Sequence, residues 1–311
     1  MKVFLFPGQG SQEIGMGLDL FREDDFFNSL IEYANSISNT DLKKLCLKGP
    51  EREFIKPQYL QPLLTCVCLG YYKRTLDAGI YPDVILGHSL GEITSLGASG
   101  IVSYEQAILI SAKRGQLMYN VASKVDGGLM AVLFVPIEKV KEILVNINMD
   151  NRIVIASENA LDQIIISGEN SALEEFSKVI CENQIGKTKR IPVMGPWHSP
   201  YMNEAMLEFK DWIKNINFNP PSIPMIFNGT GEYEKDPQKI KQLITQQLVN
   251  PVLWRKCMQK LLNECADIFF EIGPQRILSG LIRINGFPKT TKIYNISNIL
   301  SIKRAIEELK K

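Results

Sequence analysis

The chain has 311 residues, with 35 Lys and Arg against 34 Asp and Glu, a net charge of +1 and 45% hydrophobic residues. That composition excludes a disordered chain, and the charge gives no reason to expect nucleic acid or a membrane surface as partner. The length suffices for one large domain, or for a domain carrying a substantial insert.

Residues 2–6, "KVFLF", read as a buried strand that runs into the glycine-rich loop "PGQGSQ". "SLIEYANSI" and residues 59–78 have helical apolar spacing. "PDVILGHS" is the next strand, and "GEITSLGASGI" follows as a helix of small residues. "SYEQAILISAKRGQLMYNVA" is a helix with Ser103 as N-cap and Glu105 and Gln106 in its first turn. Strand, tight turn and helix in alternation predict a mostly parallel sheet.

The pattern changes near Asp126-Gly127-Gly128. A strand "LMAVLFV", a helix "IEKVKEILVNI", strands "RIVIASEN" and "DQIIISGE", a helix "SALEEFSKVICEN" and a strand "TKRIPVM" follow. That β-α-β-β-α-β order predicts a ferredoxin-like subdomain. Then come a helix "YMNEAMLEFKDWIKNI", a strand "IPMIFN", two helices around 236–265, a strand "IFFEIG" and a last amphipathic helix "SIKRAIEELKK". The expected organisation is a large α/β domain built from 1–126 and 195–311, with the ferredoxin-like part, 127–194, inserted.

The six cysteines are scattered, with no CxxC pair, so reduced thiols and no structural zinc are expected, and with them a cytoplasmic monomer. "MKVFLFPGQGSQ" lacks the pattern of a secretory leader, and no apolar stretch is long enough to span a bilayer.

Gly87-His88-Ser89-Leu90-Gly91 lies between a predicted strand and a predicted helix, the context of a nucleophile elbow. The serine backbone there takes an unfavourable conformation that lifts Oγ clear, and the helix N-terminus leaves N–H groups free for an oxyanion. Only two histidines exist to take the proton. His88 adjoins Ser89, and neighbouring side chains on a sharp turn diverge, so it is expected to line or support the pocket. His198, in "VMGPWHSPYM" between two prolines, is the candidate base. No Asp or Glu stands out after it to orient the imidazole, a job that a backbone carbonyl can do equally well.

"FLFPGQGSQ", "GHSLGE", "KRGQLM", "WHSPYM", "QQLVNPVLW" and "FFEIGPQRILSGL" occur in that order. Through them the chain resembles the malonyl-CoA:acyl-carrier-protein transacylases, a group that includes discrete trans-acting acyltransferases of polyketide synthases. The resemblance runs from Phe4 to about Arg283. It implies an α/β-hydrolase-like large domain with an inserted ferredoxin-like subdomain. It also implies a ping-pong acyl transfer from malonyl-CoA or another acyl-CoA to an acyl carrier protein, in fatty acid or polyketide biosynthesis, with no cofactor. Ser89 would be the acyl acceptor and His198 its base. Gln9 and Leu90 would supply backbone N–H groups to the oxyanion hole. Arg114 would pair with the free malonyl carboxylate, which a planar guanidinium suits. The main-chain carbonyl of Gln247 would orient His198, with Asn250 the neighbouring candidate, and Gln61 would sit near the pocket. Lys113, Lys187, Lys189 and Arg190 are basic candidates to meet an acidic carrier protein.

Three departures bear on selectivity. Trp197 stands where malonyl-selective relatives usually carry phenylalanine, so it is a candidate to reshape the acyl pocket. The helix "ITSLGASG" replaces an aromatic residue and alanines, and Gln275 replaces a common glycine. They open an alternative, a trans-acting hydrolase that clears acyl groups from carrier proteins with the same Ser89 and His198. A non-catalytic scaffold conflicts with intact Ser89, His198 and Arg114. A generic serine esterase conflicts with the absence of an obvious acid partner.

Overall fold

The computed structural model describes residues 1–310. Eight strands run in chain order as β1 (Lys2–Phe6), β2 (Val84–Gly87), β3 (Gly127–Leu133), β4 (Ile153–Ala160), β5 (Gln163–Glu169), β6 (Lys187–Ile191), β7 (Ile268–Ile272) and β8 (Lys292–Ile296). They form two sheets. The first is all parallel in the order β2-β1-β7-β8. The second is antiparallel in the order β4-β5-β3-β6.

β1 is apolar and buried from Val3 to Phe6 because both of its faces are covered. Phe4 and Phe6 point to one core, where each meets the ring of Tyr72 on the Pro57–Asp77 helix. Val3 and Leu5 point to the other, with Trp254 and Met258 of the Trp254–Asn263 helix. β2 ends at Gly87, and the next helix, Leu90–Ala98, is buried along its whole length. Its small residues suit that position between longer helices, and Ser95 satisfies its hydroxyl on the carbonyl of Gly91.

The two glycines of the elbow are dictated by contact. A Cβ on Gly91 would stand 1.9 Å from the carbonyl oxygen of Phe6, and one on Gly87 would stand 2.0 Å from the backbone of Gly91. The helix therefore starts hard against the end of β1. The Tyr104–Ala122 helix begins with the expected cap: Ser103 accepts from the N–H of Gln106, whose side chain returns the bond.

The second sheet carries the helices Ile137–Asn146 and Asn170–Glu182 on a core of its own that includes Val132, Ile164, Ile166 and Phe176. Its strand order is the ferredoxin-like one. β4 ties it to the rest of the chain, because Val252 exchanges backbone hydrogen bonds with Ala156 and Glu158, each 2.9 Å.

The expected strand "IPMIFN" is only a pair of bridges, Met225 to Ile85 and Ile226 to Tyr233. Pro224 has no N–H for a ladder, and Phe227 turns away to bond Glu232. β8 and the Ile277–Ile284 helix complete the C-terminal region beyond the elements read from sequence. Gln275, just before that helix, has φ 60°, the left-handed region where a glycine costs least. Cys46, Cys66, Cys68 and Cys257 are buried and unpaired, whereas Cys181 and Cys265 are exposed. No described helix is long and apolar enough to cross a membrane.

Gly91→Ala should lower stability to urea by about 3 kcal/mol or more, because backbone, not a flexible side chain, blocks the new methyl. Gly280→Ala, in the Ile277–Ile284 helix with nothing within 4 Å of the added carbon, should be neutral or stabilising by up to about 1 kcal/mol. Equal losses in the two unfolding curves would contradict this account of the elbow.

Candidate active site

Ser89 sits between β2 and its helix at φ 53° and ψ −108°, a conformation that costs a non-glycine residue about 1–3 kcal/mol unless its surroundings hold it. They do so at both backbone groups. The N–H of Ser89 donates to Oδ1 of Asn228 at 2.8 Å. Its carbonyl accepts from the N–H of Glu92 at 3.0 Å and from Nε2 of Gln247 at 2.9 Å. Oγ then lies 2.7 Å from Nε2 of His198 and 3.2 Å from Nη2 of Arg114.

His198 occupies the loop between β6 and the Asn203–Trp212 helix and has φ 55°. Its Nδ1 lies 2.8 Å from the main-chain oxygen of Gln247. A carbonyl only accepts, so that contact places the proton on Nδ1 and leaves the Nε2 lone pair facing Ser89. Burial pushes the imidazole down to about 3, helped by the nearby Arg114 and His88 and opposed by the Gln247 carbonyl and the Asn250 backbone. Gln247 thus stands where the resemblance puts it, and Asn250 adds a second, smaller pull. His88 turns the other way. Its Nε2 meets Oδ1 of Asn159 at 2.9 Å and Oγ of Ser157 at 3.3 Å, both on β4, and its ring faces Trp254. It supports the junction of elbow and second sheet.

Arg114 is fully buried on the Tyr104–Ala122 helix. Gly115 beside it lets that helix close on Pro57, whose carbonyl oxygen would lie 2.3 Å from an added Cβ. Nη1 donates to Oε1 of Gln61 and Nη2 to Oε1 of Gln247, both at 2.9 Å. No described carboxylate forms an ion pair with Arg114, and its Nε has no partner. Burial lowers the guanidinium to about 10, against the pull of Glu92. Gln61 reaches further, giving Nε2 to Oε1 of Gln9 at 2.9 Å. Gly8 packs on the elbow so tightly that a Cβ there would meet the His88 carbonyl at 2.6 Å and the Leu90 nitrogen at 3.7 Å. The loop carrying Gln9 therefore lies beside Leu90. Among the described residues, neither the Gln9 nor the Leu90 N–H has an acceptor.

Two participants escaped the sequence reading. Glu92, buried in the first turn of the elbow helix, accepts from Nε2 of Gln247 and from the N–H of Asn228. Burial pushes its carboxyl up to about 7, against those two bonds and Arg114. A single carboxylate in a helix of otherwise small and apolar residues was the available signal. Asn228 had none. Trp197 is 3% exposed, lies against Gly195, and leaves its indole N–H without a partner, so it joins no bond of this network. Lys187, Lys189 and Arg190 are exposed on the edge strand β6, and Lys113 is half-buried.

The family model for the acyl transferase domain matches residues 3–286. The malonyl CoA-acyl carrier protein transacylase of Bacillus subtilis is 31% identical over 309 residues, 99% of this chain and 96% of that protein. The polyketide biosynthesis malonyl CoA-acyl carrier protein transacylase PksC of the same organism is 36% identical, over 91% of this chain and 96% of that protein. The solved malonyl CoA-acyl carrier protein transacylase of Coxiella burnetii superposes with a TM-score of 0.92 at 30% identity, covering 100% of this chain and 98% of that one. The chain belongs to the acyl transferase family that includes the malonyl CoA-acyl carrier protein transacylases.

Proposed function

We propose that this chain moves a malonyl group from CoA to the phosphopantetheine thiol of an acyl carrier protein, through an ester on Ser89. One observation carries the reading: Oγ of Ser89 lies 2.7 Å from Nε2 of His198 and 3.2 Å from Nη2 of Arg114, a buried guanidinium with no ion-pair partner among the described residues. A nucleophile of that kind attacks a thioester, and a cation of that kind calls for a carboxylated acyl group.

In the first half-reaction Nε2 of His198 takes the hydroxyl proton as Oγ attacks the thioester carbonyl. The oxyanion forms beside the free N–H groups of Gln9 and Leu90. When it collapses, the C–S bond breaks and the CoA sulfur leaves with the proton from His198. In the second half the carrier-protein thiol gives its proton to His198 and attacks the ester, and Ser89 recovers the proton as it leaves. Arg114 holds the malonyl carboxylate away from the reacting carbonyl. The low proton affinity of His198 keeps its lone pair available before each attack. Hydrolysis differs only in the second acceptor, and the contacts of Trp197 give that alternative no support.

Intact-protein mass spectrometry should show a malonyl adduct that moves to a carrier protein on mixing and is absent from Ser89→Ala. Steady release of free malonate with no transfer would favour the hydrolase. Arg114→Ala should lower kcat/KM for malonyl-CoA by about 100-fold or more while changing that for acetyl-CoA by less than about tenfold. A parallel loss for both substrates would remove the carboxylate role.

The acid sensitivity of the fold follows from His198. Its folded value lies near 3, below the ordinary 6.5, so the unfolded chain takes up the proton first. This contribution to stability is complete above pH 6.5 and is lost as pH falls toward 3, at most about 1.4 kcal/mol per pH unit. Glu92 acts in the opposite sense, since its raised value favours the fold at low pH and that advantage fades as pH rises through 7. Comparison with His198→Ala cancels Glu92. From pH 7 to pH 5 the wild type should lose about 2 kcal/mol more than the variant; parallel losses would rule out a buried neutral His198.

A further inference from the structure

Both holds on the Ser89 backbone lead to one side chain. Asn228, which accepts the Ser89 N–H, donates its own N–H to one carboxylate oxygen of Glu92. Gln247, which donates to the Ser89 carbonyl, gives the same amide nitrogen to the other oxygen. Asn228 is fixed further by Nδ2 on the carbonyl of Gly87 at 2.7 Å. The result is a closed ring of Glu92, Asn228, Ser89 and Gln247. Its members come from the elbow helix, from the segment after Pro224 and from the end of the Pro237–Gln246 helix.

We propose that Glu92 is a positioning residue for acyl transfer, holding Ser89 through Asn228 and Gln247 so that Oγ stays aligned with His198 and with the arriving carbonyl. This rests on the reading that Ser89 accepts the acyl group. Glu92 is placed to act only through others. Gln247 stands between it and His198, and its oxygens accept from groups outside its own helix rather than from that helix's free N–H groups. A buried carboxylate with no direct cation is costly to retain, and here both of its oxygens serve donors that hold the Ser89 backbone. The strained φ of Ser89 gives the retention a purpose, since that backbone must be braced at both ends. Gln247 extends the effect, because its main-chain oxygen orients His198 and its side-chain oxygen receives Arg114. A shift of Gln247 would disturb nucleophile, base and guanidinium together.

The test is single-turnover malonylation of Ser89 from malonyl-CoA, read by mass spectrometry, in Glu92→Gln, Asn228→Ala and the double variant. A glutamine amide can accept one of the two donors and opposes the other. Glu92→Gln should therefore acylate about tenfold more slowly, with KM for malonyl-CoA within about twofold, full adduct amplitude and Tm within about 5 °C of wild type. Asn228→Ala should slow acylation about fivefold or more, also at unchanged KM. Because both act on one ring, the loss in the double variant should be smaller than the product of the single losses. Rates within twofold of wild type in the folded single variants, or losses that simply multiply, would overturn the proposal. If Glu92→Gln shows no cooperative unfolding, Asn228→Ala alone decides by the same criterion. A wild type that never forms a malonyl adduct would overturn the transfer reading instead.

Discussion

The carbonyl of Phe6 and the α-carbon of Gly91 meet so closely that no side chain fits between them. Much of the site follows from that contact. It seats the Leu90–Ala98 helix directly on the end of β1, and Ser89, in the turn between β2 and that helix, takes a positive φ. It also brings the loop after β1 alongside the elbow, where the carbonyl of His88 blocks any side chain at Gly8. Two unpaired backbone N–H groups, on Gln9 and Leu90, thereby come from opposite sides of one tight junction. The glycines are what permits this approach, and the polar groups around them respond to it.

The electrostatics of the site are arranged around a cation. Arg114 is buried without a direct counter-ion among the described residues, and amide oxygens of Gln61 and Gln247 replace part of its lost hydration. Its charge helps to hold His198 neutral, and it lowers the proton affinity of Glu92. Burial is the larger cause at both groups, and the guanidinium adds to it at His198 and opposes it at Glu92. Neutral amides are suited to this work. They orient a charge without cancelling it, and so leave it able to recognise an anion that arrives later.

The elbow was legible in the sequence because its demands are local. A strand, two glycines flanking a serine and a helix start lie within a few residues, and each has a distinctive composition. His198 was legible by counting, since the chain has only two histidines and one adjoins Ser89. The second sheet and the first three strands of the parallel one, β1, β2 and β7, could be read from runs of apolar residues and the order of helices between them. The failures share a different cause. β8, "KIYNI", is short and half polar because it lies at the edge of its sheet. "IPMIFN" has the composition of a strand, but a proline and a turn leave it only bridges. Asn228 and the side chain of Gln247 owe their roles to tertiary contacts across more than a hundred residues, which no local pattern encodes. Glu92 was in view within the elbow motif, and only its partners reveal what it does.

The strand order has a consequence for how the molecule comes into being. β1 lies inside its sheet, with β2 on one side and β7 on the other. During synthesis it gains its first neighbour after some eighty residues and its second only when β7 emerges. Until then one edge of a strand that is apolar from Val3 to Phe6 stays open, with the whole second sheet made in the interval. Pairings this distant in sequence are slow to close, and an open apolar edge invites strands from other chains. The nascent protein is therefore most exposed to misassembly late, just before the segment that both covers β1 and completes the sheet.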